Sequence, residues 1–278
     1  MTAIAHRLRA SSVDPKNVVG ACALIATALA WWWLSAMAQA ASATVGWLGW
    51  MENSDVLRAL AALCVPVKDD AAGRVFLTSL AMWSVMAVAM MLPSALPMLR
   101  TYGEIAQTAR ERLQVAPSTA VIVAGYLAAW LAAAVAFAGL QTLLHTALAV
   151  DPVAPVPLGL GALFLLGAGA YQFTELREAC LQKCRNPFTI LFARFRPERA
   201  AIFRLGVEQG VFCIGCCWAL MLVMLVVGTM NLAWMAVLTI FTVLEKTGTS
   251  KVTSRISGGI LLAWGAAMAA ASAYTQYL

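Results

Sequence analysis

From Val211 to Leu244 the chain runs for 34 residues without a charged side chain. As one helix that stretch is about 51 Å long, well beyond the roughly 30 Å of a bilayer hydrocarbon core. It must therefore fold back on itself, and Gly228-Thr229-Met230-Asn231 supplies the turn residues. In hydrocarbon every backbone N–H and C=O has to be satisfied internally, so such a run belongs in a helical hairpin within a membrane bundle. Charged residues make up 12% of the 278 positions, about half the ~25% of an ordinary soluble domain. The expected fold is therefore all-α, a polytopic helical membrane bundle.

Seven segments qualify as spans: 18–38, 75–99, 117–144, 157–173, 205–227, 231–244 and 252–274. With the N-terminus inside, 16 of the 19 basic residues fall on inner segments, and only Arg58, Lys68 and Arg74 fall outside. The positive-inside rule then selects N-in, C-out. Residues 1–17 form a cytoplasmic segment, and 18–278 form a single transmembrane domain with an outer segment at 39–74 and a basic cytoplasmic segment at 177–204. The first apolar segment ends in AMAQAAS, a signal-peptidase-like string, but its core is longer than a typical signal h-region. It reads as an uncleaved anchor; cleavage would leave six spans. The net charge of +6 follows from this orientation and from contact with anionic headgroups, so no nucleic-acid partner is expected. In the outer segment, residues 54–60 read as a short amphipathic helix lying on the membrane. Trp31, Trp32, Trp33, Trp47 and Trp50 read as an interfacial belt.

Within the fifth span, GVEQGVFCIGCCWALMLVM (206–224) places Cys213, Cys216 and Cys217 on a common face. At 100° per residue the three thiols share an arc of about 100°, and Met221 and Met224 continue the stripe. Soft sulfur donors on one face suit Cu(I), with zinc or a reversible disulfide as rivals. The same face also reads as small-residue helix packing.

A second sulfur stripe runs through the second span, where Met82, Met86 and Met90 recur every four residues ahead of Pro93 and Pro97. The prolines should kink the inner end and free backbone carbonyls. Counted from Arg204, Cys213 lies about 14 Å and Cys217 about 20 Å into the membrane; counted from Arg100, Met90 lies about 15 Å in. The two stripes can therefore meet at one level. Cys180 and Cys184 lie one helical turn apart near the inner boundary, where the surrounding basic residues should lower their thiol pKa values. Glu208 and Glu245 should pair with nearby Arg or Lys, because an unpaired carboxylate at membrane depth is costly. Five of the seven cysteines fall in inner or intramembrane positions and should stay reduced.

The stretches MWSVMAVAMMLPSALP (82–97), GAYQFTELREACLQKC (169–184), GVEQGVFCIGCCWALM (206–221) and VGTMNLAWM (227–235) resemble the DUF2182 family. The resemblance covers about residues 76–274. Family members typically carry a lysine near the position of Arg177. The resemblance implies a bacterial integral membrane protein of the inner membrane with a metal-binding role.

The expectation is a membrane protein that binds and transfers a soft metal ion, Cu(I) before zinc, with enzymatic activity left open. Cys213, Cys216 and Cys217 would be the principal ligands, with Met86, Met90 and Met221 as auxiliaries. Cys180 and Cys184 would form a cytoplasmic uptake or release site. Its partners would be membrane lipids, the metal ion and a membrane-protein or metallochaperone partner. The competing readings are an assembly subunit of a larger membrane complex and a membrane thiol–disulfide oxidoreductase.

Overall fold

The computed structural model describes residues 15–41, 64–68, 70–108, 115–248 and 252–277. The amphipathic segment at 54–60, Trp47, Trp50 and the basic residues Arg7, Arg9, Arg58, Arg110, Arg112 and Lys251 lie outside them. The described residues form nine helices and no strand: α1 (Pro15–Ala41), α2 (Ala72–Thr108), α3 (Val115–Leu148), α4 (Leu158–Tyr171), α5 (Glu175–Arg185), α6 (Pro187–Ala193), α7 (Arg199–Val227), α8 (Leu232–Thr247) and α9 (Val252–Tyr277). Five of them, α1, α2, α3, α7 and α9, are long and apolar enough to cross a membrane, as a membrane protein requires. Helix α4, with 14 residues, is about 21 Å long, and α8, with 16, is about 24 Å, both short of the hydrocarbon thickness.

The long apolar run folds back at the expected place. Helix α7 ends at Val227, Gly228 takes φ +92°, and Asn231 caps α8 by accepting a hydrogen bond from the Trp234 N–H at 3.3 Å. Only glycine adopts that left-handed backbone without strain. Helix α2 runs through Pro93 and Pro97 without a break. Pro93 cannot donate to Ala89 O, and the indole Nε1 of Trp31 on α1 takes that carbonyl at 3.0 Å. The proline thus creates an acceptor that docks α1 against α2. Trp31, expected in an interfacial belt, also serves helix packing.

Two glycine-lined contacts set the close helix approaches. On α7, Gly206 and Gly210 face Gly125 and Tyr126 of α3. A Cβ at Gly206 would stand 2.1 Å from Ile122 O, and one at Gly210 would stand 2.9 Å from Tyr126 O. These are backbone-to-backbone contacts that only small residues allow. Helices α4 and α9 pack in the same manner, with Gly169 against Leu262, Gly258 against Phe173 and Gly265 against Leu166. Helix α3 lies between α2 and α7, which are not themselves closely packed.

Candidate metal centre

The α3–α7 contact fixes the depth and rotation of α7 and turns its cysteine stripe inward. Cys213, Cys216 and Cys217 are each no more than 2% exposed, and Met221 and Met224 are buried beside them. All seven cysteines are free thiols.

The stripe divides into two environments. Cys213 belongs to a closed ring of polar contacts. Lys246 Nζ of α8 donates to Cys213 Sγ at 2.9 Å and to Ser94 Oγ of α2 at 2.8 Å. Ser94 Oγ and the Tyr126 hydroxyl of α3 both donate to Met91 O, at 2.8 and 3.1 Å. The same tyrosine oxygen lies 3.0 Å from Cys213 Sγ and closes the ring. Four helices thus contribute to the ring that includes this thiol. Within a low-dielectric interior such a satisfied network is rigid and specific.

Cys216 and Cys217 face sulfur instead. Cys216 Sγ lies 3.2 Å from Cys217 Sγ and 3.8 Å from Cys184 Sγ of α5. With metal–sulfur bonds of about 2.3 Å, two sulfurs on one ion lie roughly 3.8 Å apart at a tetrahedral angle and roughly 4.6 Å apart when opposed. The Cys184–Cys216 separation lies at the near end of that range. Cys184, assigned from the sequence to a separate cytoplasmic site, is therefore brought against the α7 thiols. Cys180 reaches α7 one turn away: a Cβ at Gly215 would stand 2.6 Å from Cys180 Sγ, so the glycine makes room for it. Among the described residues, no three His, Cys, Asp or Glu side chains converge as a ready-made metal cage.

Met86 and Met90 are fully buried, and Met221 is 1% exposed, in the same apolar core as the thiols. Ser94 of α2 and Lys246 of α8 link the helix that carries Met86 and Met90 to Cys213.

The thiols on α5 differ from expectation in one respect. Burial pushes the Cys180 thiol above its ordinary value, and Lys183 only partly offsets it. The nearby basic residues do not prevail, because the thiolate loses more hydration than one lysine restores.

Sequence reasoning missed two members of the site. Lys246 was placed with the inner basic residues facing headgroups, yet it is 6% exposed and points at Cys213. Tyr126 carried no signal beyond an apolar helix. A Glu-Lys pair ending an otherwise uncharged helix is the available clue for the first, since neither side chain reaches water if that helix end is enclosed. Its neighbour Glu245 is buried as well. Its Oε1 lies 2.5 Å from Arg177 Nη2 of α5 and accepts from Ser254 Oγ of α9 at 2.7 Å. Arg185 Nε donates to the Glu245 carbonyl at 2.9 Å. The expected pairing of Glu245 thus occurs with Arg177, which has no exposed surface. Glu208 pairs with Arg194 at a more exposed position, where an ion pair contributes little.

No curated protein and no solved structure matches this chain. The profile of the PpoB2 family, described as a copper chaperone, matches residues 80–268. That span takes in Met86 and Met90 of α2, both cysteines of α5 and the whole α7 stripe. It covers more than half of the chain, which belongs to the PpoB2 copper-chaperone family.

Proposed function

We propose that this protein is a bacterial inner-membrane copper carrier that receives Cu(I) on a sulfur-lined path inside its helix bundle and passes it to a partner. Seven spans with N-in, C-out orientation and a metallochaperone or membrane-protein partner belong to the same reading. The observation that carries it is the Cys184–Cys216–Cys217 group, two of whose sulfurs stand at a separation one metal ion can bridge. Copper-chaperone family membership and the resemblance to DUF2182 point the same way.

The donor set favours Cu(I) over zinc. Structural zinc requires four strong ligands, whereas the close thiols here number three. Soft thiolates select Cu(I), which accepts two or three sulfurs. In this reading Cys216, Cys217 and Cys184 hold the ion first. Cys213 is the next sulfur along α7, and its approach requires the ion to displace the Lys246 contact. Met86, Met90 and Met221 supply weaker, exchangeable thioether donors. Cys180 and Cys184 form the cytoplasmic end of the path. Exchangeable donors suit delivery better than permanent retention.

Competition against a Cu(I) chelator, with detergent-purified protein under reducing conditions, tests the proposal. The wild type should hold about one copper per chain, and the triple Cys213→Ser/Cys216→Ser/Cys217→Ser variant should lose it. Equal retention by both, or none by either, replaces this reading with that of an assembly subunit.

A further inference from the structure

A cavity of about 550 Å³ opens between the end of α4, the first two turns of α5 and the start of α9. It lies across α5 from the thiols. Glu175, Glu178 and Gln182 line it from one face of α5, whereas Arg177 and Leu181 are buried on the opposite face. Ser254 and Arg255 line it from the first turn of α9. Gln172, at the end of α4, also lines it. This side chain is 5% exposed, and neither its Nε2 nor its Oε1 has a hydrogen-bond partner.

A buried carboxamide with both atoms unpartnered is costly. Here it borders a cavity with a carboxylate side and a guanidinium side. Glu175 and Arg255 are both exposed, and neither forms an ion pair among the described residues. A ligand that satisfies this arrangement carries a cation for the glutamates and an anion for Arg255, with a polar linkage for Gln172. The start of a helix such as α9 also favours the anion. Around the cleft, Phe173, Leu176 and Ile256 expose apolar side chains. The cleft also lies where the apolar helices α4 and α9 give way to the polar α5.

We infer that this cleft binds the headgroup of a zwitterionic aminophospholipid, with its ammonium at Glu175 and Glu178, its phosphate at Arg255 and its acyl chains along Phe173, Leu176 and Ile256. A primary ammonium donates three hydrogen bonds, which a quaternary choline cannot do, so ethanolamine is selected over choline. An anionic glycerol headgroup brings no cation to Glu175. The site is independent of the copper path, since no proposed ligand contributes to it.

The test uses the full-length protein in micelles with phosphatidylethanolamine, phosphatidylcholine or phosphatidylglycerol of identical acyl chains. Lipid retention is read by native mass spectrometry and lipid-dependent thermal shift. Phosphatidylethanolamine should bind about tenfold more tightly than either other lipid, as expected for charge-assisted hydrogen bonds. The exposed double variant Glu175→Gln/Arg255→Gln should lose that preference while holding copper as the wild type does. Gln172→Leu should weaken all three lipids alike, because the polar linkage that Gln172 meets is common to them. Equal binding of the three lipids, or an unchanged preference in the double variant, overturns the assignment. Free phosphoethanolamine binding as tightly as the lipid overturns it too, by making the cleft a site for a soluble zwitterion.

Discussion

Cys213 and Cys216 lie on the same face of the same helix, one turn apart, and both are almost completely buried. They touch, since Cys216 Sγ donates to the Cys213 carbonyl at 3.1 Å, but their other partners differ. The Cys213 thiol meets a lysine nitrogen and a tyrosine oxygen from two other helices, whereas Cys216 Sγ meets the sulfurs of Cys217 and Cys184. A stripe that is uniform in sequence is thus divided by its neighbours into a polar end and a soft end. One end holds the bundle together through a hydrogen-bonded ring, and the other presents sulfurs at a metal-bridging distance. Residue type alone does not decide whether a buried thiol is a structural group or a ligand.

The largest effect should come from removing the ion pair that holds the helices of both environments. Glu245→Ala leaves Arg177 charged and buried without its partner, which costs about 3–5 kcal/mol. Because Glu245 joins α8 to α5 and adjoins Lys246, the change should separate Cys184 from Cys216 and open the ring at Cys213. Unfolding in detergent should show the loss of stability, and wild-type stability would show that the pair is not a support for either end.

Next is the glycine contact that positions the polar end. Gly206→Val places side-chain atoms against the Ile122 carbonyl on α3 and should cost about 1–3 kcal/mol, as overpacking does. The contact of Tyr126 with Cys213 depends on that helix approach, so the polar end should suffer more than the sulfur end. Cysteine accessibility to a small alkylating reagent separates the two, with Cys213 becoming reactive before Cys217.

Single serine substitutions sharpen the comparison directly. Cys216→Ser should weaken Cu(I) binding at least about tenfold, some 1.4 kcal/mol, because it removes the sulfur shared by both close pairs. Cys213→Ser should weaken it less. The reverse order in chelator competition would place the primary ligand at the polar end.

Tyr126→Phe removes one hydroxyl from the ring and should cost about 1 kcal/mol of stability, with copper affinity changed less than by Cys216→Ser. The smallest effect concerns Cys180. Burial raises its thiol pKa, so its thiolate is scarcer at neutral pH than that of a free cysteine, and its reactivity rises only as the pH climbs. Its alkylation midpoint should lie above the roughly 8.5 of an unperturbed thiol, and Lys183→Met should move it higher still. A midpoint below the ordinary value would restore the picture of basic residues activating this pair.

The sequence by itself determined the helical class, the fold-back at Gly228–Asn231 and the inward face of α7. Each follows from local physics: hydrocarbon forbids unsatisfied backbone, a run longer than the bilayer must turn, and small and sulfur residues recur at helical spacing. The pairing requirement of Glu245 was legible too, because a lone carboxylate is too costly at that depth. Only the tertiary structure decided which cation meets it, that Lys246 turns inward to Cys213, that Tyr126 closes the ring and that Cys184 joins Cys216. Those outcomes depend on how helices distant in sequence rotate and approach. That geometry is set by glycine contacts such as Gly206 on Ile122 and Gly169 on Leu262, whose partners a single strand of sequence does not name.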